Sequence, residues 1–404
     1  MIFKIAFRNV FRQRRRTVLT MLTMFGGFTL ASISIGWSDG TYSHIIDMFT
    51  RNQLGHIQVH SEGYLDRPSL YKVIKDYENV GKNIQSIPDV EAWAPRLYAA
   101  GLASVGEKSA GIRIIGLDPE SENAATHFDK KIARGTVLND ANTHEALLGK
   151  GLARILRTTI GGEVVVVSQA ADGSIANDIY AIVGIVDTGD EYSDQTGFYL
   201  TLQDAQELFA LENRVHEIVV IASNLDRIGP LVGEIEDAVS NAALSVAPWQ
   251  EFAKSFYNAM RADQEGMWIS LFVIILIVAV GVLNTVLMSV LERTREYGVL
   301  KALGVRPKQI FGLVLTEVNI MATGSIIIGA GLGILINYLL SIHGISYPQS
   351  LTYGGFEFQE MYSEVNARSL IIPAITVIVS ASLVATFPAI RASRTAPARA
   401  MRAH

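Results

Sequence analysis

Four apolar runs constrain this chain more than any other feature. Residues 17–37, 267–291, 310–340 and 370–390 are each long enough to cross a bilayer, which takes about 20 mostly apolar residues. The third run is long enough to tilt or to extend beyond the lipid. The fourth contains Pro373 and Pro388, which membrane helices tolerate because neighbouring groups re-satisfy the freed backbone. Composition agrees: 49% of residues are apolar and only 18% charged, on the membrane side of globular usage. At about 150 residues per domain, two or three folding units are expected. No cysteine is present, which excludes disulfides and thiolate metal sites.

Charge then orients the runs. Lys4, Arg8, Arg12, Arg14, Arg15 and Arg16 precede the first with no acid among them. Arg293, Arg295, Lys301, Arg306 and Lys308 crowd the loop after the second, against Glu292 and Glu296. Arg391, Arg394, Arg399 and Arg402 follow the fourth. Residues 40–266 carry 18 basic and 32 acidic side chains, a balance of −14. By the positive-inside rule both termini and the loop are cytoplasmic, and the long acidic segment is outside. The rival for the N-terminus is a cleaved signal peptide of twin-arginine type. The run is too long for a signal core and no A-x-A-like site follows, so a retained anchor is expected.

The resulting partition is a cytoplasmic amphipathic helix over 1–16, spans over 17–39, 267–291, 310–341 and 370–390, an external domain over 40–266, a cytoplasmic coupling loop over 292–309, a short external loop over 342–369 and a cytoplasmic tail over 391–404. Phe3, Phe7 and Phe11 repeat at i, i+4 beside Lys4, Arg8 and Arg12. That double stripe suits a helix at the membrane surface, rings in the acyl boundary and cations toward anionic headgroups; the plainer alternative is a positive-inside flank.

Within 40–266, short β-branched runs at 56–59, 98–105, 112–117, 163–167, 180–186, 198–202 and 215–221 read as strands. Helical stretches at 69–86, 150–157, 202–211 and 226–242 lie between them, with Thr201 as an N-cap. The rhythm is not βαβ, which predicts an α+β domain, with two lobes as an option. Residues 41–52 and 248–265 continue the helices of the flanking spans as stalks.

The sequence carries no complete motif for catalysis or nucleotide binding. GLASVGEKS at 101–109 approaches a P-loop, but Glu107 separates the glycine from the lysine; a hairpin turn is expected. His56 and His60 share a strand face without a third ligand and read as a surface pair. No nucleophile motif occurs. Polar residues inside the spans are more informative, because such groups usually face protein. Asn284, Glu317 and Asn319 read as contacts between helices, either moving or static. Glycines 324, 329, 331 and 333 suit close helix approach.

The loop NTVLMSVLERTREYGVLKALGVRPKQI at 284–310 is the most specific stretch. Glu292 and Arg295 can pair at i, i+3. Tyr297, Val299, Leu300, Ala302 and Leu303 form an apolar surface, Gly304 is a natural C-cap and Pro307 starts the next helix. A short helix of this kind at a cytoplasmic tip needs a groove to dock in.

The run ERTREYGVLKALGV at 292–305 resembles the coupling motif of the FtsX-like, MacB-type permeases of ABC transporters, and FPAIRASRTAPARAMR at 387–402 is similar to their C-terminal signature, with Met401 where leucine is usual. RNVFRQRRRTVLTML at 8–22 and GHIQVHSEGYLD at 55–66 are similar to the lipoprotein-releasing LolC/LolE-type branch. The resemblance implies four transmembrane helices with a large α+β periplasmic domain inserted between the first and second spans, in the bacterial inner membrane. It implies docking of a partner ABC ATPase dimer through Glu292, Arg293, Arg295, Glu296, Gly298, Lys301 and Gly304, with ATP and Mg bound in that partner and no cofactor or metal in this chain. The other partners implied are a second permease copy or paralogue, membrane lipids and a lipoprotein or similar amphiphilic cargo, with no nucleic acid. Met24, Phe25, Phe28 and Phe272 can line an acyl-chain cavity, or simply face lipid. Two further functions stay open: efflux of peptides, toxins or small molecules with an outer-membrane partner, and signalling to a periplasmic cell-wall hydrolase.

Overall fold

In the computed structural model, residues 2–12, 14–239, 243–353 and 356–395 are described. The chain divides into two compact units. One is drawn from Met1–His44, Ala259–Pro348 and Glu360–His404; the other from Ile45–Asn258 and Gln349–Gln359.

The first unit is helical. Arg14–Phe49, Lys254–Glu292, Pro307–His343 and Arg368–Arg394 are each long and apolar enough to cross a membrane. The first three have 36, 39 and 37 residues, which at 1.5 Å per residue is roughly 55 Å. That exceeds the thickness of a hydrocarbon core, about 30 Å. Their core is laddered: Val278, Val282, Val286 and Val290 on the second long helix meet Ile310, Val314, Val318 and Ala322 on the third and Ala381, Ala385 and Ala389 on the fourth. The alanine ladder lets the fourth helix come close.

Two shorter helices complete this unit: Ile2–Arg12 and Thr294–Ala302. The second stops at Gly304, whose φ of +93° is the left-handed turn that ends a helix. Pro307 then opens the third long helix, with the Gln309 side chain accepting the Arg306 N–H at 2.9 Å.

The second unit is built on one continuous ten-stranded mixed sheet. In spatial order its strands are Leu244–Pro248, Ile57–Ser61, Glu217–Ala222, Val90–Val105, Lys108–Leu117, Gly197–Thr201, Glu145–Gly149, Ile175–Val186 and Ile132–Gly135. Glu163–Gln169 bridges two of them, pairing with both Val90–Val105 and Ile175–Val186. Most pairs are antiparallel; Lys108–Leu117 with Gly197–Thr201, and Glu145–Gly149 with Ile175–Val186, are parallel. Thr201 caps its helix, accepting the Asp204 N–H at 3.1 Å.

Several sequence expectations change here. The two-lobed option gives way to a single sheet. The run 101–109, by contrast, is the hairpin expected, with Val105 opposite Lys108 and Gly106 at φ +56°. The helix expected over 69–86 is confined to Tyr77–Gln85, because Ile74–Lys75 pairs with Arg214–Val215 and Asp76 turns left-handed. The expected short loop 342–369 holds a two-stranded hairpin, Ile345–Tyr353 with Phe356–Met361.

Candidate functional site

The short helix Thr294–Ala302 is fastened to its surroundings by charge. Arg293, at the break between it and the second long helix, is 7% exposed. Its Nη1 donates to both carboxylate oxygens of Glu317 on the third long helix, at 2.8 and 3.1 Å. Its Nε donates to Glu296 Oε2 at 3.1 Å, and its guanidinium lies 5.3 Å from the ring centroid of buried Tyr297. Asn9, on the amphipathic helix, donates to Glu317 Oε1 at 2.6 Å. Arg12 pairs with Glu296, and Arg16 with Glu292. A buried charge is tolerated only when its hydrogen bonds are met; here Glu317 receives three from two elements. The cluster therefore joins the N-terminal helix, the first long helix, the short helix and the third long helix.

Lys301 makes the remaining connection. Its Nζ donates to the backbone oxygens of Ser393 and Thr395, at 2.7 and 2.8 Å. These lie at the C-terminus of the fourth long helix, where carbonyls lack intrahelical partners and the helix dipole favours a cation.

Of the seven residues expected to dock a partner, Arg293 and Gly298 are buried, and Glu296 and Lys301 face partners within the chain. Glu292, Arg295 and Gly304 are exposed. Glu292 is taken by Arg16 rather than by the expected Arg295. The outward surface of the short helix is instead Arg295, Val299, Ala302 and Leu303, with Val299 44% and Leu303 77% exposed.

The three polar residues of the spans separate. Glu317 enters the charge cluster. Asn319 accepts from Ser382 Oγ at 3.0 Å on the fourth helix. Asn284 points outward from the second helix and joins neither. The four aromatic and methionine residues also separate: Met24 and Phe28 are in the core, Phe25 is half-buried and Phe272 is exposed. A Cβ on Gly324, Gly329 or Gly333 would meet Met21, Phe28 or Ser32 of the first long helix, whereas Gly331 has open space.

Sequence reasoning missed a second polar cluster at the opposite ends of these helices. Gly36 and Gly40 form a G-x-x-x-G pair along which the chain at 362–364 lies. A Cβ on Gly40 would come within 2.4 Å of the Ser363 carbonyl carbon, and the Glu364 N–H donates to Gly36 O at 2.9 Å. Asn337 donates to Ser32 O and accepts from Ser363 Oγ, at 3.2 and 3.1 Å. The glycine spacing was a legible signal.

In the sheet unit, His56 and His60 are buried, not on the surface as expected. His60 lies on the strand Ile57–Ser61, which is flanked on both sides by Glu217–Ala222 and Leu244–Pro248, and His56 stands just before it. His56 Nδ1 accepts the Ala222 N–H at 3.0 Å, and burial pushes its pKa down to about 4. His60 Nε2 lies 3.2 Å from Glu217, in a buried network with Arg96, Tyr98 and Glu122. Burial would raise Glu217, but His60 and Arg96 carry it below the usual carboxylate range. Among the described residues no group of three could hold a metal ion.

Two family models match the chain: residues 268–397 match the FtsX-like permease C-terminal model, and 17–238 the MacB-like periplasmic core domain. Among curated proteins, the chain is 22% identical to the lipoprotein-releasing system transmembrane protein LolC of Neisseria meningitidis serogroup B, over 95% of this chain and 94% of that one. It is 23% identical to the macrolide export ATP-binding/permease protein MacB of Campylobacter jejuni, over 86% of this chain but 55% of that protein, about half its length. The periplasmic region of MacB from Actinobacillus actinomycetemcomitans aligns with 50% of this chain and 92% of that one, at 14% identity and a TM-score of 0.36.

Proposed function

We propose a force-transmitting role for this chain, which belongs to the FtsX-like, MacB-type family of ABC transporter permeases. It sits in a bacterial inner membrane with its termini and the Thr294–Ala302 helix in the cytoplasm and the sheet unit in the periplasm. A partner ATPase dimer, carrying ATP and Mg, seats on that short helix. When the ATPase closes, the helix moves, and the movement passes to the long helices and on to the periplasm.

The observation that carries this reading is the double fastening of the short helix. Through Arg293 it is tied to the third long helix and the N-terminal helix, and through Lys301 to the end of the fourth. A mere surface loop would need neither. A second permease chain completes the assembly; exposed Asn284 supports this, since an amide facing lipid is costly.

Lipoproteins or similar amphiphiles are the proposed cargo. Alignment with LolC along nearly the whole of both chains supports this reading. The test is purification of the complex from native membranes, followed by mass spectrometry. An acylated protein released on ATP addition is expected. Recovery of a tunnel-forming adaptor without acylated protein would overturn the cargo, and recovery without any ATPase would overturn the whole reading.

A further inference from the structure

The aromatic face of the N-terminal helix does not close against its own unit. Ala6 and Val10 are buried, yet Phe3, Phe7 and Phe11 remain 64%, 47% and 60% exposed. The three rings form a row, with successive centroids 6.5 and 4.9 Å apart. Together with Met21 of the first long helix and Ile320 and Gly324 of the third, they wall an open groove of about 500 Å³.

The groove asks for nothing polar. Its few polar lining residues have turned their polar atoms to other partners: Thr17 Oγ1 donates to Val10 O at 2.6 Å, Thr316 Oγ1 to Gly312 O at 2.7 Å, and Thr323 Oγ1 to Asn319 O at 2.9 Å. Asn319 spends its amide on Leu315 O and Ser382. What is left facing the groove is hydrocarbon.

Its rim differs in kind. Of the basic residues in this segment, Arg12 and Arg16 are paired with Glu296 and Glu292. Lys4, Arg8, Arg14 and Arg15 are exposed, and among the described residues no acid pairs with them. Lys4 and Arg8 each follow a groove-lining phenylalanine by one position, which puts them on the adjoining face of the same helix, about 100° around from the rings. An apolar trough beside a face of unneutralised cations on the same helix matches a lipid with a negatively charged headgroup.

We propose that this groove is a binding site for an anionic phospholipid, with an acyl chain along Phe3, Phe7 and Phe11 and the phosphate on Lys4 and Arg8. The occupant is a resident lipid of the leaflet nearest the N-terminus, distinct from any transported cargo. Because Asn9 and Arg12 of the same helix hold Glu317 and Glu296, bound lipid steadies the cluster that fastens the short helix. The site extends the proposed function and stands or falls separately from the choice of cargo.

The full chain with its partner ATPase, stripped of native lipid and placed in phosphatidylcholine vesicles with or without phosphatidylglycerol, supplies the test. Lipid retained on the protein is counted by native mass spectrometry. Wild type is expected to retain phosphatidylglycerol in preference to phosphatidylcholine. Lys4→Gln with Arg8→Gln, both on the surface, should cut that preference roughly thirtyfold, from about two cations' worth of headgroup attraction. Ile320→Trp, which fills the groove, should abolish retention, while Ile320→Val should keep it. Should Ile320→Trp fail to fold, the surface pair decides alone. Equal retention of both lipids, or an unchanged preference in the Lys4/Arg8 variant, would overturn the site. Competitive displacement of phosphatidylglycerol by a synthetic acylated peptide would also overturn it, since the groove would then belong to cargo.

Discussion

Arg293 Nη1 and Glu317 Oε2 stand 2.8 Å apart, both side chains nearly buried, across the junction between the second and third long helices. Removing one partner leaves the other charge buried without compensation, which costs about 3–5 kcal/mol. Glu317→Ala is therefore expected to lower the heat-unfolding midpoint of the detergent-solubilised protein and to uncouple ATP hydrolysis from cargo release. The double variant Arg293→Met with Glu317→Leu should recover most of the stability without restoring coupling. If the double variant also released cargo at the wild-type rate, the pair would be packing and nothing more.

Lys301→Met removes the cation that holds the last carbonyls of the fourth helix. Charged hydrogen bonds of this kind contribute about 1.5–3 kcal/mol each. Amides at 391–395 should exchange with deuterium at least about tenfold faster in the variant, with the cores of the other long helices unaffected. Equal exchange would mean that Lys301 does not hold that end in solution.

Val299 and Leu303 project from the short helix with 44% and 77% of their surface open. Covering a leucine side chain contributes about 1.5–3 kcal/mol. Leu303→Asp should thus weaken ATPase binding by about tenfold or more, measured by titration of the purified ATPase, without disturbing the Arg293 cluster. Unchanged affinity would falsify the placement of the partner on this face.

His56 gives the sheet unit a pH dependence of definite sign. Burial takes its pKa to about 4, below the value of about 6.5 for an exposed imidazole. As pH falls, the unfolded chain takes up the proton first. Its contribution to stability is complete above about 6.5 and drains away as pH falls toward about 4, on the order of 2–3 kcal/mol. Heat-unfolding midpoints of the full chain between these values should fall more steeply for wild type than for His56→Gln; parallel curves would exclude the residue as the cause.

Gly40 faces main chain rather than a yielding side chain. Gly40→Ala is expected to displace the 362–364 segment and lower the unfolding midpoint by several degrees, as befits a loss of about 1–3 kcal/mol from overpacking. Gly331→Ala, where the space is open, supplies the neutral comparison on the third helix.

The sequence made some of this legible and hid the rest for physical reasons. Apolar length alone located the four long helices, because a run of that kind has few other uses. The glycine and proline after the short helix marked its end as it stands. Orientation of the short helix's side chains was not legible: Arg293 and Lys301 look like surface cations until the acid and the helix end that receive them are seen, and those lie 24 and more than 90 residues away. Strands such as Ile132–Gly135 and Glu145–Gly149 were missed because each is short and declares itself only through its neighbours in the sheet. His60 was misplaced for the same reason, since a strand face is known as inside or outside only once its sheet is assembled; His56 stands just before that strand and is buried there.

Lys301 grips two main-chain oxygens at the end of a flexible four-carbon stem. Such a joint carries tension well and orientation poorly. In the force transmission proposed above, such a joint would draw the fourth helix along with the short helix while leaving the short helix free to turn about the ammonium. The rigid hold lies at Arg293, so one side of the unit is steered and the other is towed.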